Sequence, residues 1–241
     1  MKLTDFKALT FDCYGTLIDW ESGMIEALRP LTNKVDRDLS RDEILAAHGK
    51  LEHAQQIYTP GRRYNEILST VYKRLAEQWG VTVSWEECRT YGQSIKNWPA
   101  FADTPGALQY LKKYYKLVIL SNVDHESFQH SNQKLQVDFD AIYTAEDIGS
   151  YKPEQRNFDY MLENLKSLGI AKGDILHTAE SLFHDHVTAN KLDLANCHIH
   201  RRHQEGGFGA TASVEELPKC DFRFTSMAEL VKAHQEELRS Q

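Results

Sequence analysis

Phe6-Lys7-Ala8-Leu9-Thr10-Phe11-Asp12-Cys13-Tyr14-Gly15-Thr16-Leu17-Ile18-Asp19 runs from a short apolar stretch into a carboxylate and then a glycine turn. Ala8 to Phe11 is brief, mostly apolar and sharply bounded, which reads as a strand buried on both faces. Asp12 closes it. Gly15 lets the chain double back directly afterwards. An aspartate at a strand end can simply bond the turn, so its meaning depends on what else reaches that edge.

Outward from this stretch, the pattern repeats. Leu117 to Leu120 is a second apolar run, ending at Ser121-Asn122. Ala141 to Tyr143, Asp174 to His177, Cys197 to His200 and Phe222 to Phe224 read as further strands. Helical patterns fill 105–115, 154–168, 183–192 and 226–238. Such alternation predicts an α/β chain with a Rossmann-like parallel sheet. Residues 21–97 carry helical patterns and no strand, as in Glu43 to Ile57 and Tyr64 to Trp79, parted by Pro60-Gly61. We therefore expect a core of 1–18 and 99–241 and a helical cap of 19–98, with Asn97-Trp98-Pro99 leading back to the core. A cap inserted after the first strand lies over the strands' carboxyl ends, where open parallel sheets bind ligands.

Composition narrows the function. The chain has 241 residues, 41% hydrophobic and 26% charged, the balance of an ordinary folded globule. Its net charge of −7 comes from scattered acids, which argues against nucleic acid as the main partner. The start shows no secretory leader and no run approaches membrane-spanning length, so neither a membrane nor export is expected. Cys13, Cys88, Cys197 and Cys220 are widely spaced, which suits reduced thiols in a cytoplasmic protein. Cys13 reads as a small buried hydrophobe. Gly206-Gly207-Phe208-Gly209 reads as a flexible loop lacking the lysine of a P-loop.

The strand ends bring together residues far apart in sequence. Asp12, Tyr14 and Thr16 follow the first strand, Ser121 and Asn122 the second, and Glu180 and Asp185 the fourth, with Lys152-Pro153 on a nearby turn. A desolvated carboxylate can act as a nucleophile and form an ester that water later cleaves. A lysine keeps it ionised. Ser121, Asn122 and backbone N–H groups around Cys13 to Gly15 can donate to substrate oxygens. Thr16 can also bond the turn, Ser121 can cap a helix, and Lys152 can be a solvated lysine. Trp20, Tyr58 and Trp98 are candidates for an apolar wall under the cap, although core packing is the commoner fate of such rings. His184-Asp185-His186 does not read as a joint metal site, because neighbours on a helix face different ways. His200 and His203 form no ligand pattern.

FDCYGTLID (Phe11 to Asp19), ILSN (Ile119 to Asn122), YKP (Tyr151 to Pro153) and AESLFHD (Ala179 to Asp185) resemble, in order, the four motifs of the haloacid dehalogenase superfamily. The resemblance implies that Asp12 is the nucleophile, that Thr16 and Ser121 belong to the site, that Lys152 orients the nucleophile, and that Asp185 is the later acid. Phosphatases of the superfamily place a second aspartate two residues after the nucleophile; here Tyr14 stands there, as in the 2-haloacid dehalogenases. A halide needs no proton, so Tyr14 points to attack on carbon.

Three departures qualify that likeness. Glu180 and Leu182 stand where those dehalogenases carry serine and asparagine, and Phe158 where they carry tyrosine. Their halide-cradling cap arginine has no counterpart around Ala46 to His48, and Arg62 and Arg63 read as surface charges. FKALTFDCYGTLIDWE, KNWPAF, LQYLKK, GSYKP and DILHTAES resemble the azetidine-2-carboxylate hydrolases, which open a strained four-membered ring.

That resemblance implies attack at C2 of a small carboxylate, with Glu180 or Tyr14 near the departing amine. Tyr14, Asn122, Trp20, Trp98 and Glu180 are then the expected substrate contacts. No cofactor is expected. The alternative is a phosphatase whose Mg²⁺ is held by Asp12, Glu180 and Asp185; against it, Glu180 is expected to pair with Lys152. A non-catalytic binding protein of the same fold is the rival outside enzymes. Cap-to-cap pairing into a homodimer is implied by family likeness alone.

Overall fold

Every residue of Ala8–Phe11 (β1) is buried, as a strand covered on both faces requires. Leu9 and Phe11 enter one apolar cluster and Ala8 the other, so alternate side chains serve opposite faces. The computed structural model describes residues 1–240. Its other strands are Lys116–Ser121 (β2), Ala141–Thr144 (β3), Ile175–Ala179 (β4), Asn196–Ile199 (β5) and Phe222–Phe224 (β6). They form a six-stranded sheet in the order β3-β2-β1-β4-β5-β6, parallel at every pairing. The expected Rossmann-like α/β core is what folds. Its strand order reverses between β1 and β4, the switch point where doubly wound sheets bind ligands.

Four helices follow β1 before residue 93: Trp20–Thr32 (α1), Arg41–Tyr58 (α2), Tyr64–Gln78 (α3) and Trp85–Gly92 (α4). Asp19 caps α1 through Ser22 N, and Ser40 and Ser84 open α2 and α4 with capping boxes to Glu43 and Glu87. A 3-10 turn over Gln93–Asn97 ends the insert. The apolar cluster under β1 and β2 runs on through Met24, Leu28, Leu68, Val71 and Leu75, so cap and core share buried surface. The remaining helices are Thr104–Leu111 (α5), His125–Leu135 (α6), Ala145–Ile148 (α7), Gln155–Ser167 (α8), Val187–Lys191 (α9) and Met227–Arg239 (α10). Phe158, Met161 and Leu165 of α8 cover one face of the sheet; α5 and α10 cover the other. No helix among the described residues is long and apolar enough to cross a membrane.

Several local expectations are corrected. The helix read over 183–192 is a π-turn over Leu182–His186 that leads into α9, with the Ser181 hydroxyl accepting from His184 N at 3.0 Å; such turns often accompany functional sites. The helix read to 115 stops at Leu111, and Tyr115 turns inward to donate its hydroxyl to Leu3 O at 2.9 Å. Ser121 ends β2; the cap of α6 is Asp124, accepting from Ser127 N at 2.8 Å.

The glycine-rich loop is also anchored. Its Ala210 N–H donates to Glu21 Oε1 at 3.1 Å, and Arg202 pairs with the same carboxylate. Gly49 of α2 makes the docking possible, because a methyl group there would lie 1.9 Å from Ala210 O.

Candidate active site

The turn after β1 aims Asp12. Leu17 N and Ile18 N both donate to Cys13 O, at 2.8 and 3.0 Å, and Gly15 takes a φ of +94° to close the loop. This brings Thr16 back over the strand end, where its hydroxyl donates to Asp12 Oδ2 at 2.8 Å. The same hydroxyl oxygen accepts from Glu180 N at 2.8 Å, tying β1 to β4. The Thr16 hydroxyl thus bonds Asp12 and the chain after β4, not the backbone of its own turn as the sequence also allowed. Gly15 N is spent on Ile18 O at 2.8 Å and is no donor to a substrate.

Lys152 arrives from the other side of β1. Its backbone N–H donates to Asn122 Oδ1 at 2.7 Å while its carbonyl accepts from Asn122 Nδ2 at 3.0 Å. Asn122 lines the cavity, and this clamp uses its amide oxygen and one of its two Nδ2 protons. So positioned, Lys152 is only 2% exposed, and its ammonium donates to Asp12 Oδ1 at 2.9 Å, Asp185 Oδ1 at 2.7 Å and Leu120 O at 3.0 Å. An ammonium has three protons, and each has an acceptor. Glu180 takes no part, so its expected pairing with Lys152 is corrected: the π-turn brings Asp185 inward instead.

Behind this triad stands His177, within β4. Its Nε2 lies 2.9 Å from Asp185 Oδ1 and its Nδ1 2.8 Å from Thr10 Oγ1. A carboxylate only accepts, so Nε2 carries the proton and Nδ1 accepts from Thr10. Burial holds the imidazole pKa below its ordinary value, against the pull of Asp185.

One lysine serving two carboxylates makes them unequal. Burial pushes Asp185 upward, but Lys152 and His177 together outweigh it and hold the group well below the usual carboxylate range. Asp12 is raised: burial and the charge of Asp185 outweigh Lys152 and Thr16. Asp12 is thus the less stabilised anion, which suits a nucleophile better than a charge fully quenched by its partners. Lys152 itself is lowered by burial but raised more by the two carboxylates, so it stays charged. Cys13, wholly buried beside Asp12, is pushed far up by burial and remains a thiol, the small hydrophobe expected.

A cavity of about 40 Å³ opens on Asp12, with Tyr14, Trp20, Ser121, Asn122 and Lys152 in its wall. It is a small cavity, suited to a small molecule. The Ser121 hydroxyl is buried there without a hydrogen-bond partner. Tyr14 bonds Ser131 Oγ through its hydroxyl at 2.9 Å, and burial raises its pKa far above the ordinary phenol value.

The structure does not bring every candidate to the cavity. Trp98 is fully buried against Gly23 and the edge of Tyr14, a core residue outside the wall. Tyr58 is 72% exposed at the end of α2. Glu180 points into a neighbouring cleft with Gly15, Glu21, Arg201 and Arg202. Burial, then the charges of Glu21 and Asp12, push its carboxyl up to about 8 against Arg202. Arg62 and Arg63 lie on the surface, paired with Glu66 and Glu146.

The oxygen donors a magnesium ion would need do not converge. Asp12 has both oxygens bonded, Asp185 is held through Oδ1 alone by Lys152 and His177 while its buried Oδ2 has no partner, and Glu180 faces the other cleft. Among the described residues, no group of three His, Cys, Asp or Glu side chains is placed to hold a metal. As arranged here, the residues do not fit the ion.

Five wall residues were not among the expected site residues: Glu52, Tyr64, Ser181, Thr211 and His184, the last weighed only as a metal ligand. Glu52 and Tyr64 come from cap helices, and Thr211 from the strap that docks at Gly49. His184 belongs to the π-turn, and burial lowers its pKa to about 4, so its imidazole is neutral.

A parallel sheet with the Asp12 carboxylate at its switch point and a helical insert after β1 is the architecture of a capped α/β hydrolase. Residues 6–178 match the family model of the haloacid dehalogenase-like hydrolases, and the chain belongs to that family. A search of curated proteins finds no match.

Solved structures do match over nearly the whole chain. The L-2-haloacid dehalogenase PA0810 is 20% identical, with a TM-score of 0.75, covering 98% of this chain and 100% of its own. The L-2-haloacid dehalogenase of Xanthobacter autotrophicus with chloropropionic acid covalently bound is 18% identical, at 0.76, covering 95% and 98%. The putative HAD-hydrolase YfnB of Bacillus subtilis, bound to magnesium, is 17% identical, at 0.73, covering 95% and 99%. At these identities the likeness concerns the fold.

Proposed function

We propose that this hydrolase acts on a small 2-substituted carboxylate. In this reading Asp12 attacks C2, the substituent leaves with the bonding electrons, and water cleaves the resulting aspartyl ester. Ring opening of azetidine-2-carboxylate and dehalogenation of a 2-haloacid are the two reactions of this kind in view. The observation that carries the proposal is the pairing of Asp12 with Lys152 and Thr16 at the floor of a small cavity. Tyr14 supports attack on carbon, since its hydroxyl is engaged by Ser131 where a phosphatase would carry an acid. The partnerless Ser121 hydroxyl offers a donor for the substrate carboxylate. The neutral imidazole of His184, in the same wall, can take the proton of the attacking water.

The chloropropionic acid bound covalently in the Xanthobacter enzyme is consistent with the haloacid arm. The test is purified protein with azetidine-2-carboxylate, 2-chloropropionate and p-nitrophenyl phosphate, each with and without Mg²⁺. The proposal expects 4-amino-2-hydroxybutyrate or chloride, insensitive to chelator. Magnesium-dependent cleavage of the phosphate ester, with neither of those products, would replace it.

A further inference from the structure

The cap contributes an acid to the catalytic cavity. Glu52, on α2, lines it while only 7% exposed. Its Oε1 accepts from Gln56 Nε2 at 2.9 Å. Its Oε2 is buried and has no well-aligned hydrogen bond: His48 Nδ1 stands 3.3 Å away outside bonding geometry, and the Tyr64 hydroxyl faces the same carboxylate from the cavity wall. Tyr91 holds His48 from behind, with its hydroxyl 2.7 Å from Nε2. The carboxyl group is thus fixed in place with Oε2 short of a well-aligned donor, and a poorly satisfied buried acceptor is costly.

Charge in the wall points the same way. Asp12 and Glu52 are its two acids and Lys152 its one lysine or arginine, whose protons are already taken by Asp12, Asp185 and Leu120 O. A purely anionic substrate would meet that excess of negative charge with nothing to offset it. A protonated amine supplies both the missing charge and the missing N–H.

We propose that Glu52 is the specificity residue of this site, its Oε2 accepting a hydrogen bond from a protonated amine on the substrate's C2. This rests on the reading of Asp12 as the nucleophile at C2. When an Asp12 oxygen bonds to C2, the C2–N bond breaks and its electron pair stays on nitrogen. A ring ammonium already carrying two hydrogens departs as a primary amine, tethered through the rest of the former ring, without taking a proton from the protein. Its positive charge vanishes in that step. Glu52 therefore favours bound substrate over the transition state, and its effect falls on KM, with kcat unchanged or raised.

The test is calorimetric binding of two unreactive probes, L-proline, with a ring ammonium, and cyclopentanecarboxylate, of like shape without nitrogen. Wild type is expected to prefer proline by about 10- to 100-fold, and Glu52→Gln, which can keep the contact with Gln56, to lose that preference. Failure of wild type to prefer proline overturns the proposal even if the variant does not fold, and so does a preference retained in Glu52→Gln. Asp12→Asn separates the two readings: it should keep the proline preference and lose turnover. An Asp12→Asn protein that turns over normally would sink the nucleophile and leave the binding preference to be judged by itself.

Discussion

Lys152 Nζ lies 2.9 Å from Asp12 Oδ1, with both side chains almost wholly withdrawn from water. The lysine also neutralises Asp185, so its removal leaves two buried carboxylates without a cation. Breaking a buried pair from one side typically costs about 3–5 kcal/mol. Lys152→Met should lower stability by that order in a denaturant melt and abolish measurable turnover. A folded variant of wild-type stability would show that the lysine is not the counter-ion described.

Asp12→Asn should behave differently. It leaves Lys152 and Asp185 as a one-to-one pair and removes the carboxylate that burial already disfavours. Stability should stay within about 1 kcal/mol of wild type or rise, while turnover is lost. Melting curves and activity on one preparation check both halves.

Ser121→Ala probes the substrate side of the cavity. The hydroxyl has no internal partner, so its loss should change stability by no more than about 0.5 kcal/mol. Turnover should fall about 10- to 100-fold if the hydroxyl meets a substrate oxygen. Unchanged kcat/KM would remove Ser121 from the site.

Glu180 predicts a pH dependence. Its folded pKa of about 8 lies above the ordinary 4.5, so the native state binds the proton more tightly than the unfolded chain. The resulting stabilisation of the protonated form is present below 4.5 and lost as pH rises through 8. Glu180→Gln should therefore match wild type near the acid end and exceed it at pH above 8. The gap should be about 1–2 kcal/mol, discounted for partial exposure. Melting temperatures of the two proteins that stay parallel across this range would contradict the assignment.

What the sequence disclosed follows from how far each signal reaches. Asp12, Thr16 and Lys152 lie in short motifs whose order and spacing survive without a structure, and the strands around them are plain apolar runs. His177 was hidden because in sequence it is one more residue of a strand; only the sheet and the π-turn set it against Asp185. Glu52 sits in a helix of mixed polarity, and which face meets the cavity depends on how the cap docks. The pairing of Glu180 with Lys152 was misjudged for a related reason: direction after a strand end is set by the turn, and Thr16 holds Glu180 N toward the other cleft. Aromatic rings gave the weakest signal. Trp20 lines the cavity, Trp98 fills the core and Tyr58 faces solvent, though all three looked alike as candidates.

The bond between Asp12 and C2 is best tested with isotopic water. In a single turnover with enzyme in excess in H₂¹⁸O, the account predicts one ¹⁸O in the peptide bearing Asp12 and none in the newly formed hydroxyl of the product. Label found in that hydroxyl, with Asp12 unlabelled, would mean that water attacks the substrate directly, and the covalent scheme would be wrong.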